Sequence, residues 1–386
     1  MAHAILSPSS AARWLACPPS ARLEAEVPDQ SSEAAEEGTA AHKLAEIIIK
    51  YNAGETKKRT FNTQLKKFQD TNEYYSAEMM EYIKDYTEAI WEKFNEAKSK
   101  TKDAVLLSEH QVDLSDYVPE CFGTVDVTII ADGTMEIVDL KYGKGVKVSA
   151  INNPQLRMYA LGAVVENELL YDIRRVRMTI IQPRIDNISS QEMTVEELEA
   201  WGTDVLMPAA KLAFKGEGEF CPGEDQCRFC KIKATCRARA EKNLSAVRDD
   251  FAMPPTLTND DVAELLPKLD EIAAWAKDLQ TYALEQALKG VQFEGYKLVE
   301  GRSVRKYVDE DKVAEAVIKD GWTENDIYKR KLIGITDMEK LLGKKHFAEV
   351  AGDLVEKPTG KPALVPESDK RPALDSAEDA VKDFRR

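Results

Sequence analysis

Apolar and polar residues recur along this chain with two distinct periods, and the switches between them mark its elements. Over residues 31–51 apolar positions follow helical spacing, with Ser31 or Ser32 as cap and acids crowded into the first turn, where the helix dipole favours them. Residues 52–72 are polar and basic and predict a loop. Ser76 then caps a long amphipathic helix whose stripe of Met79, Ile83, Tyr86, Ile90 and Phe94 faces a core. The period shortens to that of strands over residues 104–112, 122–131 and 135–141, with Asp132-Gly133 as a hairpin turn between the last two. Residues 154–165 predict a helix and 175–182 a fourth strand. Two more helices follow at 194–201 and 205–214, the first opened by a Thr194/Glu197 capping box. This order of elements implies an α/β core on a mixed central sheet flanked by helices.

Before that core, Ser7-Pro8-Ser9-Ser10 starts a short helix that ends at a turn carrying Cys17, Pro18 and Pro19. Behind it the character changes. Pro254-Pro255 breaks the chain, and Leu269, Ile272, Ala273, Ala276, Leu279 and Ala283 form a long helical stripe. A two-stranded piece at 291–300 and 303–307 with short helices completes a smaller, mostly helical α+β unit. The predicted division is 1–244 for the core, 245–352 for the C-terminal unit and 353–386 for a flexible tail poor in apolar residues.

The 386 residues carry 43% hydrophobic and 31% charged side chains, as an ordinary globular protein does. No run is long and apolar enough for a membrane span, and the N-terminus lacks the pattern of a secretory signal, so a cytoplasmic protein is expected. A net charge of −15 argues against nucleic-acid binding over the whole surface. The charge is uneven, however. Basic islands occur at 57–59 with 66–67, at 141–147, at 174–177 and at 228–242.

On a strand, residues two apart share a face, so Asp139 and Lys141 point the same way as Ile137 while Val138 and Leu140 point to the other side. The hairpin brings Asp126 towards Asp139. Two carboxylates side by side repel unless a cation lies between them, and hard oxygen ligands select Mg²⁺ or Mn²⁺. A lysine beside that cation can orient an attacking water and offset negative charge in a phosphorane-like transition state, the parts of metal-assisted phosphodiester hydrolysis. On the following helix Gln155 and Tyr159 lie at i,i+4 and share a face. Upstream, Gly38 and His42 share a helix face, and the glycine with Ala40-Ala41 predicts a close backbone approach there.

Cys227, Cys230 and Cys236 place three thiols within ten residues. In a reducing compartment these serve a metal rather than disulfides. Zinc and iron–sulfur centres both take four cysteines, and the fourth ligand is open between Cys221, Cys17 and Cys121.

Together these residues resemble the RecB-like clade of the PD-(D/E)XK nucleases. The matching motifs are Gly38-x-x-x-His42, Gly123-x-x-Asp126, Asp139-x-Lys141 and Gln155-x-x-x-Tyr159. The chain looks most like phage- or prophage-encoded members of that clade, a family labelled only as a domain of unknown function. The resemblance implies a restriction-endonuclease-like core in which His42, Asp126, Asp139 and the Leu140 carbonyl bind Mg²⁺ or Mn²⁺. Asp126, Asp139 and Lys141 would be catalytic, with Gln155 and Tyr159 contacting DNA or supporting the site. Iron–sulfur members of the clade, the AddB-type and CRISPR-adaptation nucleases, carry one early cysteine and three later ones at Cys-x2-Cys-x5-Cys spacing. By that pattern Cys17, Cys227, Cys230 and Cys236 would hold a [4Fe–4S] cluster as a staple, with Zn²⁺ as the alternative and Cys221 as an extra thiol. The expected activity is a DNA exonuclease working on single strands or ends. Two alternatives are a non-catalytic DNA-end-binding protein of the same fold, and a recombination scaffold whose C-terminal unit docks a helicase or single-strand-binding protein.

Overall fold

The Asp132-Gly133 turn sets the geometry of the core. In the computed structural model, Gly133 takes φ +74°, as a tight hairpin requires of one loop residue. Strand β3 (Gly133–Leu140) thereby folds antiparallel onto β2 (Phe122–Ala131), with Ala131 opposite Thr134 and Val127 opposite Val138. Strand β1 (Val105–Asp113) pairs antiparallel with β2, β4 (Ile173–Gln182) runs parallel to β3, and β5 (Asn187–Thr194) runs antiparallel to β4. The sheet is mixed, in the order β1-β2-β3-β4-β5. The structure describes residues 4–28, 32–250, 259–297, 299, 309–319, 323–328, 334–351 and 354–355.

Helices cover both faces. In chain order they are α1 (Ala11–Ala16), α2 (Ser20–Ala25), α3 (Glu33–Asn52), α4 (Lys58–Thr71), α5 (Ala77–Lys100), α6 (Pro154–Asn167), α7 (Val195–Trp201), α8 (Met207–Lys215), α9 (Glu224–Arg228), α10 (Arg237–Asp250) and α11 (Asn259–Leu288). Parallel strands need a crossover, and α6 supplies it between β3 and β4. Met135, Ile137, Val176, Met178 and Ile180 face the layer containing α6, α1 and α8. Val127, Ile129, Val138, Leu140 and Ile181 face α3 and α5, where all five stripe residues of α5 from Met79 to Phe94 are buried. Ser32 and Ser76 cap α3 and α5, and Thr194 and Glu197 close a reciprocal capping box on α7.

Three expectations change. The basic stretch read as a loop is helix α4, because Phe61, Leu65 and Phe68 place an apolar stripe against α3 and α5 that its abundant lysines obscure. Phe61 stacks on Tyr51 with ring centroids 4.1 Å apart. Strand β5 went unseen because Ile188 is 61% exposed and polar contacts hold the strand. Thr179 and Ser190 share a 2.9 Å hydrogen bond, and Arg177 donates to Glu192. The predicted first strand of the C-terminal piece is turn and coil over residues 291–297, while residues 303–307 lie outside the described residues, as does most of the tail.

The chain divides into compact units at residues 298/299, so α11 belongs to the first unit. Arg239 of α10 explains this grouping, for it pairs with Glu271 and Asp278 of α11, each at 2.7 Å. The described elements of the second unit include the helices Glu310–Lys319, Ile335–Leu342 and Lys344–Ala351.

Candidate metal centre and cysteine cavity

The β1–β2 ladder is interrupted at one point. Pairing runs through Ser108↔Val127 and resumes at His110↔Val125, which leaves Glu109 and Asp126 facing each other between them. Side-chain alternation changes phase there on both strands. Leu106 and Val127 pack in the layer of α3 and α5, whereas Val112 and Val125 pack in the layer of α6. Glu109 takes φ +48°, a left-handed backbone that costs a non-glycine residue about 1–3 kcal/mol.

Three groups meet at this interruption. His42 Nδ1 of α3 lies 3.2 Å from Asp126 Oδ1 and 3.9 Å from Glu109 Oε1. One ligand atom from each of His42, Glu109 and Asp126 falls within 4.8 Å of the other two. Asp126 Oδ2 accepts a 2.7 Å hydrogen bond from the Leu140 amide, which fixes the carboxylate across the end of the hairpin.

Asp139 falls one step past the Val127↔Val138 pair, opposite Asp126 in register, and is only 3% exposed. Lys141 Nζ lies 2.9 Å from Asp139 Oδ2, and it donates a 3.0 Å hydrogen bond to Gln155 Oε1. Gln155 Nε2 donates to Asp139 Oδ1 at 3.3 Å and to the Tyr159 hydroxyl at 3.2 Å. The Tyr159 ring lies against Gly123, where a Cβ would meet its Cε1 at 2.7 Å. Each predicted residue of this site is thus brought to one end of the sheet, with Gln155 and Tyr159 in the supporting position. The predicted close approach at Gly38 is absent, since a Cβ there would meet nothing within 4 Å. The small residues that press α3 inward are Ala40 and Ala41, both buried.

Three acids, Glu109, Asp126 and Asp139, share this end of the sheet with His42 and Lys141. Burial disfavours the charged form of His42, yet Asp126, with Asp139 and Glu109, pushes it up to about 9. Burial and then Asp126 push Glu109 up to about 7. Asp139 is raised by burial, with Lys141 working against that rise and Asp126 adding to it. The buried Tyr86 hydroxyl has no hydrogen-bond partner. Burial raises the Tyr86 phenol, and the charges of Asp126, Asp139 and Glu109 raise it further. A hard divalent ion fits this set of two carboxylates, an imidazole and a neighbouring carboxylate.

Sequence reasoning missed Glu109 and Tyr86. The broken alternation between Leu106 and Val112 marks the first. Tyr86 belongs to the core stripe and is 1% exposed, but its phenol feels the charges of Asp126, Asp139 and Glu109.

The cysteines converge elsewhere. Cys17, Cys221, Cys227, Cys230 and Cys236 line one small cavity with Arg13 and Lys233. The first two helices are stitched to this segment. Arg13 Nε pairs with Glu24 at 2.7 Å, Arg13 also donates to the Phe229 carbonyl, and the Lys231 amide donates to Glu24 Oε1 at 2.6 Å. The Cys221 amide approaches Cys17 Sγ at 3.4 Å, and the Gly223 amide approaches Cys227 Sγ at 3.4 Å. Burial raises the Cys17 and Cys227 thiols and pushes Cys230 up to about 12. Among the described residues no three thiols lie within 4.8 Å of one another. Cys121 is elsewhere, buried in the core with its thiol on the Leu6 carbonyl at 3.1 Å, which removes it from the ligand candidates.

The fold and site together define an α/β protein with a candidate divalent-metal centre at one end of a mixed sheet. Among the described residues no helix is long and apolar enough to cross a membrane. The chain belongs to the family described as "Protein of unknown function (DUF2800)", whose model matches residues 3–372. Among solved structures it is similar to one titled "Crystal structure of SSO0001", at 12% identity and a TM-score of 0.25, over 57% of this chain and 95% of that one. A likeness of that size carries neither fold nor function to this chain.

Proposed function

We propose that this chain is a Mg²⁺- or Mn²⁺-dependent deoxyribonuclease of the RecB-like PD-(D/E)XK type, acting as an exonuclease in the cytoplasm. The observation that carries the reading is the meeting of His42, Glu109 and Asp126 within 4.8 Å beside the Asp139–Lys141 pair. A divalent cation held there would neutralise charge on a scissile phosphate and lower the pKa of an attacking water. Lys141, fixed by Asp139 and Gln155, holds a positive charge where the transition state gains negative charge. Gln155 keeps Asp139 and Tyr159 in place.

The same reading puts a [4Fe–4S] cluster on Cys17, Cys227, Cys230 and Cys236. These four cysteines line one small cavity, which is what supports the assignment.

The test is cleavage of end-labelled single-stranded and duplex DNA by anaerobically purified protein with Mn²⁺, Mg²⁺ or chelator. Metal-dependent shortening from an end is expected, and Asp139→Ala should abolish it while DNA binding persists. A wild-type chain that cleaves neither substrate in either metal overturns the reading.

A further inference from the structure

We propose that the exposed face of α4 is a phosphate track along which a DNA strand lies on its way to the candidate metal centre. Lys58, Asn62 and Lys66 stand four residues apart, as do Arg59, Thr63 and Lys67, and together they line one shallow concavity. This stripe lies opposite the one that Phe61, Leu65 and Phe68 bury. All six residues are exposed.

The charge is out of keeping with the rest of the molecule. In a chain of net charge −15, this concavity holds four cations and the single acid Asp70. Many other cations near the sheet are engaged, Lys50 with Glu46, Lys93 with Glu136, Arg177 with Glu192 and Arg184 with Glu37. Lys58, Arg59, Lys66 and Lys67 form no such pair with any of the described residues. Holding unpaired like charges together costs repulsion that an extended polyanion relieves, and a phosphodiester backbone releases bound counterions as it does so.

The track is anchored to the element that carries His42. Phe61 stacks on Tyr51 with an interplanar angle of 14°, and Phe68 meets Tyr75 edge-on. Tyr51 follows His42 by nine residues on α3, a rise of about 13 Å at 1.5 Å per residue. The inference rests on the nuclease reading for its direction, since it makes α4 the approach to that site.

The test uses the full chain in chelator, so that nothing is cut. Binding of a labelled single-stranded DNA oligonucleotide is followed across a range of salt. Lys58→Gln, Arg59→Gln, Lys66→Gln and Lys67→Gln combined should weaken binding for every sequence tried. The slope of log affinity against log salt should fall in magnitude by about 0.7 for each lost phosphate contact, or by about 2.8 for all four. Arginine in place of the three lysines should keep the slope, which separates charge from folding. An unchanged affinity and slope in the glutamine variant overturns the track, as does binding confined to RNA. Failure of the nuclease reading is distinguishable. A chain that binds DNA through these residues yet cleaves nothing with metal keeps the track and loses the nuclease, whereas a chain that cleaves but ignores the four substitutions keeps the nuclease and loses the track.

Discussion

The Leu140 amide donates to Asp126 Oδ2 at 2.7 Å, across the open end of the β2–β3 hairpin. The backbone pairing of these strands reaches Val127↔Val138, and beyond it a side chain takes over the bonding. One carboxylate therefore closes the hairpin with one oxygen and meets His42 with the other. Asp126→Ala leaves the buried Leu140 amide unpaired and should cost about 1–3 kcal/mol in urea unfolding. Asp126→Asn keeps an acceptor and should recover most of that stability, but both variants should lose Mn²⁺ binding by calorimetry. An alanine variant of wild-type stability, or an asparagine variant that binds Mn²⁺ normally, contradicts this division of labour.

The two motif glycines should respond in opposite directions. A Cβ on Gly123 would meet Tyr159 Cε1 at 2.7 Å and Pro8 Cγ at 2.9 Å, with the phenol already hydrogen-bonded to Gln155. Gly123→Ala should destabilise by about 1–3 kcal/mol through overpacking and impair cleavage by displacing Gln155. Gly38 sits inside α3 with open space around it, so Gly38→Ala should stabilise by about 0.5–1 kcal/mol through helix propensity. Thermal unfolding of both variants checks the pair, and a shift of the same sign in both would count against it.

How much of this was legible in the sequence varied with how far each residue's partners lie along the chain. The α5 stripe and the 132–133 turn were readable because local spacing and turn chemistry decide them. Asp126, Asp139, Lys141, Gln155 and Tyr159 could be grouped because one hairpin and the next helix carry them. Glu109 could not, because its place depends on a break in β1–β2 pairing that only the fold reveals. Helix α4 and strand β5 were hidden for a shared reason. Helix α4 buries only a thin apolar stripe and β5 is held by polar contacts, so polar residues dominate both patterns until the partner surface is known.

The cysteine cavity gives a separate prediction, on metal content. If four of its thiols hold a cluster, Cys17→Ser, Cys227→Ser, Cys230→Ser and Cys236→Ser should each lose iron and the brown absorbance near ~400 nm that thiolate-bound iron–sulfur clusters give. Cys221 is exposed at the rim and Cys121 lies in the core, so Cys221→Ser and Cys121→Ser should retain the colour. Because Arg13 and Glu24 join the first helices to the same segment, the cluster-free variants should also release the N-terminus to limited proteolysis. Stoichiometric zinc without iron in anaerobic wild-type protein would remove the cluster, and loss of iron in Cys221→Ser would exchange it for Cys17 as the fourth ligand.

Without metal, the candidate centre should make the fold less stable as pH rises. Burial opposes the charged form of His42, but Asp126 and the neighbouring acids hold it at about 9, above its ordinary 6.5. Glu109 is pushed by burial and by Asp126 to about 7, above its ordinary 4.5. Both values are raised in the folded state, so both groups bind protons more tightly there than in the unfolded chain. The His42 contribution is full below pH 6.5 and is lost as pH rises through about 9. The Glu109 contribution is full below pH 4.5 and is lost as pH rises through about 7. In chelator, urea midpoints of the wild type should therefore fall between pH 6.5 and 9, chiefly through His42. His42→Gln with Glu109→Gln should flatten that decline. Mn²⁺ should reverse it in the wild type alone, because the cation takes over the neutralising role of the lost protons. Equal pH dependence in the wild type and the double variant would show that these two groups do not set it.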